Sequence, residues 1–262
     1  HRIYIFATPV NSRKQFPEHV FDYSYLSYDP LEMMKQVRKD REENSIAFMT
    51  IEDYHGSIGL SPTAAIGDKM GQRHLSNTFS QIFDIISPDY WDHIFIFSDH
   101  GCKFYNEPRR GLDVLDYDRT GITLFWHRKG DNELVKNDSI VSIMDIYPTI
   151  MELLGKDPSG ENFDGKSLTL ADDFSYLVIE NNYFVSNEVG FRNTVWCYVD
   201  KDYYFTQQID FDDPVLDRHY KLTDNRTGKV ISSFGDKEKL AFFRSKIEEH
   251  SCDYKYGMKV VK

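Results

Sequence analysis

The stretch His93-Ile94-Phe95-Ile96-Phe97-Ser98-Asp99-His100-Gly101 constrains this chain more than any other. A short apolar run rich in β-formers and bounded by turn residues predicts a buried strand, of the kind found in parallel sheets. The run ends abruptly in a hydroxyl, a carboxylate, an imidazole and a glycine. In open α/β sheets the functional crevice lies beyond the carboxyl ends of the strands, and Asp99 and His100 would stand there. A carboxylate oxygen beside an imidazole nitrogen can ligate a divalent metal. Gly101 would let the chain turn away without a Cβ in its path. The same tripeptide also serves as plain turn chemistry, with Asp99 capping the next segment.

The flanking sequence alternates strands and helices. Arg2 to Ala7 predicts a strand, followed by the turn-prone Thr8-Pro9. Asp29-Pro30 opens a helix with proline at its first position, and Leu31, Met34 and Val37 share one face. Ser45 to Ile51 predicts a second strand, ending in Glu52-Asp53-Tyr54-His55-Gly56. This is again acid, imidazole and glycine. From Gly67 to Ser87, Leu75, Phe79, Ile82, Phe83 and Ile86 repeat at helical spacing, and Pro88 stops the helix. A long charged loop runs from Cys102 to Thr120; such loops are often functional. Gly121 to Trp126 predicts a strand, and Ser139 to Leu154 a helix closed by Gly155. After about residue 170 the texture changes. Tyr176 to Glu180, Phe191 to Val199 and Tyr203 to Gln207 are aromatic and β-rich, with turns at Asp200-Lys201 and Asp212-Asp213-Pro214, which predicts a small antiparallel subdomain. Lys237 to His250 closes the chain as an amphipathic helix. The alternation predicts an α/β fold with a doubly wound, mostly parallel sheet over 1–170 and a β-rich subdomain with its closing helix over 171–262.

Composition removes several functions. A net charge of −11 over 262 residues argues against nucleic acid and against an anionic membrane surface. No apolar run approaches the roughly 20 residues of a membrane span. Cys102, Cys197 and Cys252 are too few and too scattered for a disulfide framework. No signal peptide is visible at His1, and the compartment is left open.

Three segments together resemble the sulfatase-like branch of the alkaline phosphatase superfamily. Ile96-Phe97-Ser98-Asp99-His100-Gly101 is similar to that family's strand ending in S/T-D-H/N-G. Ser139 to Ile150, containing Val141-Ser142, Asp145 and Pro148-Thr149 and followed by Gly155, is similar to the helix written V-S-x-x-D-x-x-P-T. Phe163-Asp164-Gly165-Lys166-Ser167-Leu168 is similar to D-G-x-S-L. Asp53-Tyr54-His55 falls where the family has its strand-end histidine. Phe191-Arg192-Asn193 and Tyr220-Lys221-Leu222 resemble its C-terminal four-stranded subdomain. The resemblance implies a metal-dependent hydrolase or transferase of sulfate or phosphate esters, a sulfuric ester hydrolase or phosphoesterase, on a small anionic ester or glycan-type substrate. It implies Asp99 and His100 as ligands of one divalent ion, which could be calcium, manganese or zinc. It implies His55 as the histidine that contacts the transferred anion or protonates the leaving group, a task its usual titration range suits. Arg110 falls where the family commonly has a lysine on the sulfate oxygens, and a guanidinium fork binds oxyanions well. Asp145, Pro148 and Thr149 are expected to be structural, fixing a helix over the sheet.

The departures shape the expectation further. The family's nucleophile sits in C/S-x-P-S-R, or is a threonine, after an acidic first strand, and neither feature is visible. Thr8-Pro9-Val10-Asn11-Ser12-Arg13 has a superficial likeness, with the wrong spacing and no acidic strand before it. His55 lacks the usual proline two residues later, Ser57 standing there. Cys102 reads as a small buried residue. His74, His93, His127, His219 and His250 read as structural or surface groups. The chain is therefore expected to be a C-terminal portion of the family fold with an incomplete ligand set and little turnover alone. The alternative is a non-catalytic remnant that binds an oxyanion or a partner chain, since a truncated sheet exposes a strand edge that favours pairing or oligomerisation; a third reading is a processed enzyme whose N-terminal half is retained as a companion chain.

Overall fold

The computed structural model describes residues 2–7, 21–40, 45–101, 115, 117–160, 163–173, 176–181, 194–209, 220–231 and 234–259. They form two compact units, the first built mainly from residues 1–94 and the second mainly from residues 133–262.

The first unit packs helices against a three-stranded sheet. Strands β1 (Arg2–Ala7), β2 (Tyr23–Leu26) and β3 (Ser45–Met49) form a sheet in the order β2-β1-β3. Both pairings are parallel, with Ile5 opposite Ser24 on one side and Phe48 on the other. Helix α1 (Pro30–Asp40) begins at Asp29, whose Oδ1 accepts the Leu31 N–H at 2.8 Å. That is N-cap chemistry with proline at the first helical position. Helix α2 (Asp53–Leu60) and helix α3 (Ala64–Ile85) follow β3. Thr63 caps α3 by accepting the Ile66 N–H at 3.3 Å. Met33, Met34 and Val37 from α1 and Ile82 and Ile86 from α3 and its end form the buried cluster, with Tyr23, Tyr25, Ala47 and Met49 of the sheet against it.

Strand β4 (His93–Phe97) pairs with β5 (Leu124–Arg128). The Lys129 N–H donates to the Asp92 carbonyl at 3.0 Å and the Ser98 N–H to the Thr123 carbonyl at 3.2 Å, which makes the pair antiparallel. The expected doubly wound parallel sheet is thus resolved, among the described residues, only as the three strands around β1. The chain passes from the first unit to the second within β4 and returns within β5.

The second unit carries a four-stranded antiparallel sheet in simple meander order. Its strands are β6 (Tyr176–Asn181), β7 (Thr194–Asp200), β8 (Tyr203–Ile209) and β9 (Tyr220–Asp224). The β7–β8 turn is held by Asp200, whose Oδ1 accepts the Asp202 and Tyr203 N–H groups at 2.8 and 2.7 Å. Side chains alternate between the two faces. Trp196, Tyr198, Phe205 and Leu222 pack with Phe243 and Ile247 of helix α6 (Lys237–Lys259), while Val195, Cys197 and Tyr204 pack with Leu115. Among the described residues no helix is long and apolar enough to cross a membrane.

Candidate functional site

The loop after β4 is built around Gly101. The Ser98 hydroxyl accepts the Thr123 N–H at 3.3 Å and closes the β4–β5 ladder. Asp99 then turns the chain, its Oδ1 accepting the His100 N–H at 2.9 Å. The Gly101 N–H donates to the Arg119 carbonyl at 2.8 Å. A Cβ on Gly101 would lie 2.0 Å from the Asp118 carbonyl oxygen and 2.6 Å from that of Gly121. Only glycine allows this approach, so Gly101 presses the loop against the single-turn helix α4 (Tyr117–Thr120).

Helix α4 is held in turn by β8. The Tyr204 hydroxyl donates to the Leu115 carbonyl at 2.8 Å, which leaves its oxygen to accept from the Thr120 hydroxyl at 2.6 Å. The Tyr117 ring meets Tyr204 edge-on at 6.2 Å. The residues that clamp Gly101 are thereby tied to the C-terminal sheet.

Asp99 and His100 project from this clamped loop. The Asp99 side chain is 85% exposed, and its Oδ2 lies 3.7 Å from His100 Nε2. The other ring nitrogen, Nδ1, lies 2.6 Å from Nη1 of Arg119 and 2.8 Å from the Gly101 carbonyl. A carboxylate and an imidazole nitrogen at this separation fit as two ligands of one divalent ion. Among the described residues no third histidine, cysteine or carboxylate joins them to complete a set.

A second built feature is the clasp between Ser142 and Leu168. Asp145 is 1% exposed and accepts two backbone N–H groups, from Ser142 at 2.6 Å and from Lys166 at 2.9 Å. Burial pushes its carboxyl above the ordinary value, against the pull of those donors. Thr149 in helix α5 (Ile146–Leu153) donates to the Asp145 carbonyl at 2.5 Å and accepts the Leu168 N–H at 2.8 Å. A Cβ on Gly165 would sit 2.2 Å from the Met144 carbonyl oxygen. Two of the three segments that carry the resemblance therefore interlock, the Asp145 and Thr149 side chains of one accepting backbone N–H groups of the other.

In the first unit, α2 and α3 form an antiparallel pair zipped by polar contacts. The Thr78 hydroxyl donates to Asp53. The Tyr54 hydroxyl donates to Asp68 at 2.7 Å, and the Ser57 hydroxyl meets His74 Nδ1 at 3.1 Å. Ser57 also donates its only proton to the Asp53 carbonyl at 2.8 Å, so the His74 contact is an N–H donated to a hydroxyl oxygen. The pair is structural, because His74 is not placed to take a proton from Ser57. Ser57 thus joins two helices.

Of the residues singled out from sequence, Asp99 and His100 stand together at the end of β4. His55 lies in the first turn of α2, in the other unit. Arg110, Thr8 and Cys102 lie outside the described residues. Arg119 is the residue that sequence reasoning passed over. It sits 19 positions from His100, in a stretch of sequence with several charges, and nothing in its spacing distinguishes it from its neighbours.

Comparison of the fold with solved structures places it. It superposes on a provisionally assigned sulfatase from Bacteroides thetaiotaomicron VPI-5482 with a TM-score of 0.62 and 14% identity, covering 89% of this chain and 64% of that one. It also superposes on the 2-O GAG sulfatase BT1596 with a TM-score of 0.54 and 16% identity, covering 90% of this chain and 51% of that one. No family model matches the sequence, and no curated protein does. The chain has a sulfatase-like fold and spans about one half to two thirds of the length of these two structures.

Proposed function

We propose that this protein is a metal-dependent hydrolase of sulfate esters, of the alkaline phosphatase superfamily, acting on a glycan-type substrate. What carries the reading is the likeness to two solved structures, a provisionally assigned sulfatase and a 2-O GAG sulfatase, over 89% and 90% of the chain. The glycan part rests on one of them, whose name specifies a 2-O GAG sulfatase. The doubly wound parallel sheet belongs to the same proposal.

Asp99 and His100 would hold a divalent ion at the end of β4. Such an ion would stabilise charge on the non-bridging oxygens of the ester. The chain's own contribution is to fix the backbone that carries those two residues. Gly101 allows the loop to bind the α4 backbone, and Tyr204 holds α4 in place, so the backbone of both residues is set before the ion arrives. His55 is proposed to meet the leaving group and Arg110 the sulfate oxygens, each suited by its chemistry.

The test is hydrolysis of p-nitrophenyl sulfate and p-nitrophenyl phosphate by the purified protein, with calcium, manganese and zinc supplied in turn. For this chain alone the reading predicts at most slow turnover, faster on the sulfate, that requires the added metal and is lost in Asp99→Ala. Turnover that survives chelation or the substitution overturns it.

A further inference from the structure

The surroundings of His100 contain a conflict over one nitrogen. Nδ1 lies 2.6 Å from Arg119 Nη1 and 2.8 Å from the Gly101 carbonyl oxygen. A guanidinium only donates, so a bond from Arg119 requires Nδ1 to offer a lone pair. A carbonyl only accepts, so a bond to Gly101 requires Nδ1 to carry the hydrogen. A neutral imidazole satisfies one of these at a time. The choice decides what Nε2 presents to Asp99, whose Oδ2 lies 3.7 Å away. With Arg119 on Nδ1, Nε2 carries the hydrogen and cannot ligate a metal. With Nδ1–H on the Gly101 carbonyl, Nε2 offers a lone pair beside the carboxylate. Metal-ligating histidines generally donate their second N–H to a carbonyl or carboxylate in this way.

We propose that Arg119 is a positioning residue that sets the tautomer of His100, holding the imidazole in its non-ligating form until the guanidinium moves away. The shorter contact is the one to Arg119, and a hydrogen bond from a charged donor outweighs one between neutral groups. The guanidinium also has a second acceptor at hand. Its Nη1 lies 3.4 Å from the Gly101 carbonyl, the same oxygen that the ligating tautomer needs. Arg119 therefore opposes the ligating form twice, by occupying Nδ1 and by competing for the carbonyl. The inference rests on the proposed metal role of Asp99 and His100, and it deepens that role by naming what regulates it.

The test separates the two claims. In metal-free protein with the ring neutral, nitrogen-15 NMR of the His100 side chain reports which nitrogen carries hydrogen. The expected result is hydrogen on Nε2 in the wild type and on Nδ1 in Arg119→Met. Hydrogen on Nδ1 in the wild type overturns the proposal, whether or not the variant folds. Calorimetric titration with manganese and zinc then reads the consequence. Arg119→Met is expected to bind about tenfold more tightly, equivalent to ~1.4 kcal/mol. Unchanged or weaker binding overturns the gating role. If neither protein binds either metal, the functional reading fails, while the tautomer assignment still stands or falls on the NMR result.

Discussion

Gly165 is the position where one methyl group would do the most harm to the clasp. Its added carbon would meet the Met144 carbonyl at 2.2 Å and the Asp145 nitrogen at 2.9 Å, both backbone atoms that cannot rotate away. Gly165→Ala should therefore lower unfolding stability by about 1–3 kcal/mol. Gly235, with nothing within 4 Å of a built Cβ, serves as the control and should change by less than ~0.5 kcal/mol. Equal midpoints for the two variants in urea denaturation would contradict the clasp. Cys197 is fully buried between Tyr204, Thr206 and the facing apolar cluster, and burial pushes its thiol from 9.0 up to about 12. The thiolate is the reactive form, so Cys197 should resist alkylation in the native protein and label only on unfolding, as peptide mass mapping would read. The sign of the pH effect follows. Below pH 9.0 the thiol is neutral in both states, and between 9.0 and about 12 only the unfolded chain releases the proton. Stability from this group is therefore complete below 9.0 and is lost as pH rises through that window, so a Cys197→Ala variant should show a shallower alkaline decline.

Elements with their own local signals were legible in the sequence, and elements set by contacts were not. Asp29-Pro30 announces α1, and the alternating aromatic segments announce the antiparallel sheet. Helix α5 was expected from Ser139 but begins at Ile146. Ser142 and Asp145 form a reciprocal cap that starts a short 3₁₀ turn over Ile143–Asp145 before it. Strand β5 was expected from Gly121 but begins at Leu124, because Gly121 is engaged with the Tyr117 carbonyl at 2.7 Å and closes α4. Helix α2 went unread, since Gly56 and Gly59 weaken helix propensity and its support comes from α3. The Asp99–His100 pair was visible as a motif. Arg119 was not, because it reaches His100 through a clamp that only the fold creates. Tyr204 makes that clamp testable at the level of elements. Tyr204→Phe removes the hydroxyl that joins Leu115, Thr120 and β8. It should cost about 1–3 kcal/mol and speed amide exchange at Gly101 and Gly121 more than in β1 or β3. Uniform exchange throughout the chain would contradict that coupling.

At the scale of the whole molecule, a sulfatase-like fold is evident across about nine-tenths of the chain, despite identities of 14% and 16%. Fold likeness at this identity follows from shared layering and patterning, which many sequences satisfy. The chemistry instead depends on a few side chains. Asp99 and His100 are exposed on a loop whose backbone is independently pinned, so replacing either should leave the fold intact. Calorimetric titration of calcium, manganese and zinc into the wild type, Asp99→Ala and His100→Ala tests this account most directly. One ion per chain is predicted for the wild type, with binding at least ~10-fold weaker in each variant and thermal midpoints unchanged. Failure of the wild type to bind any of the three ions, or equal affinity in all three proteins, would contradict the assignment of Asp99 and His100 as a metal centre.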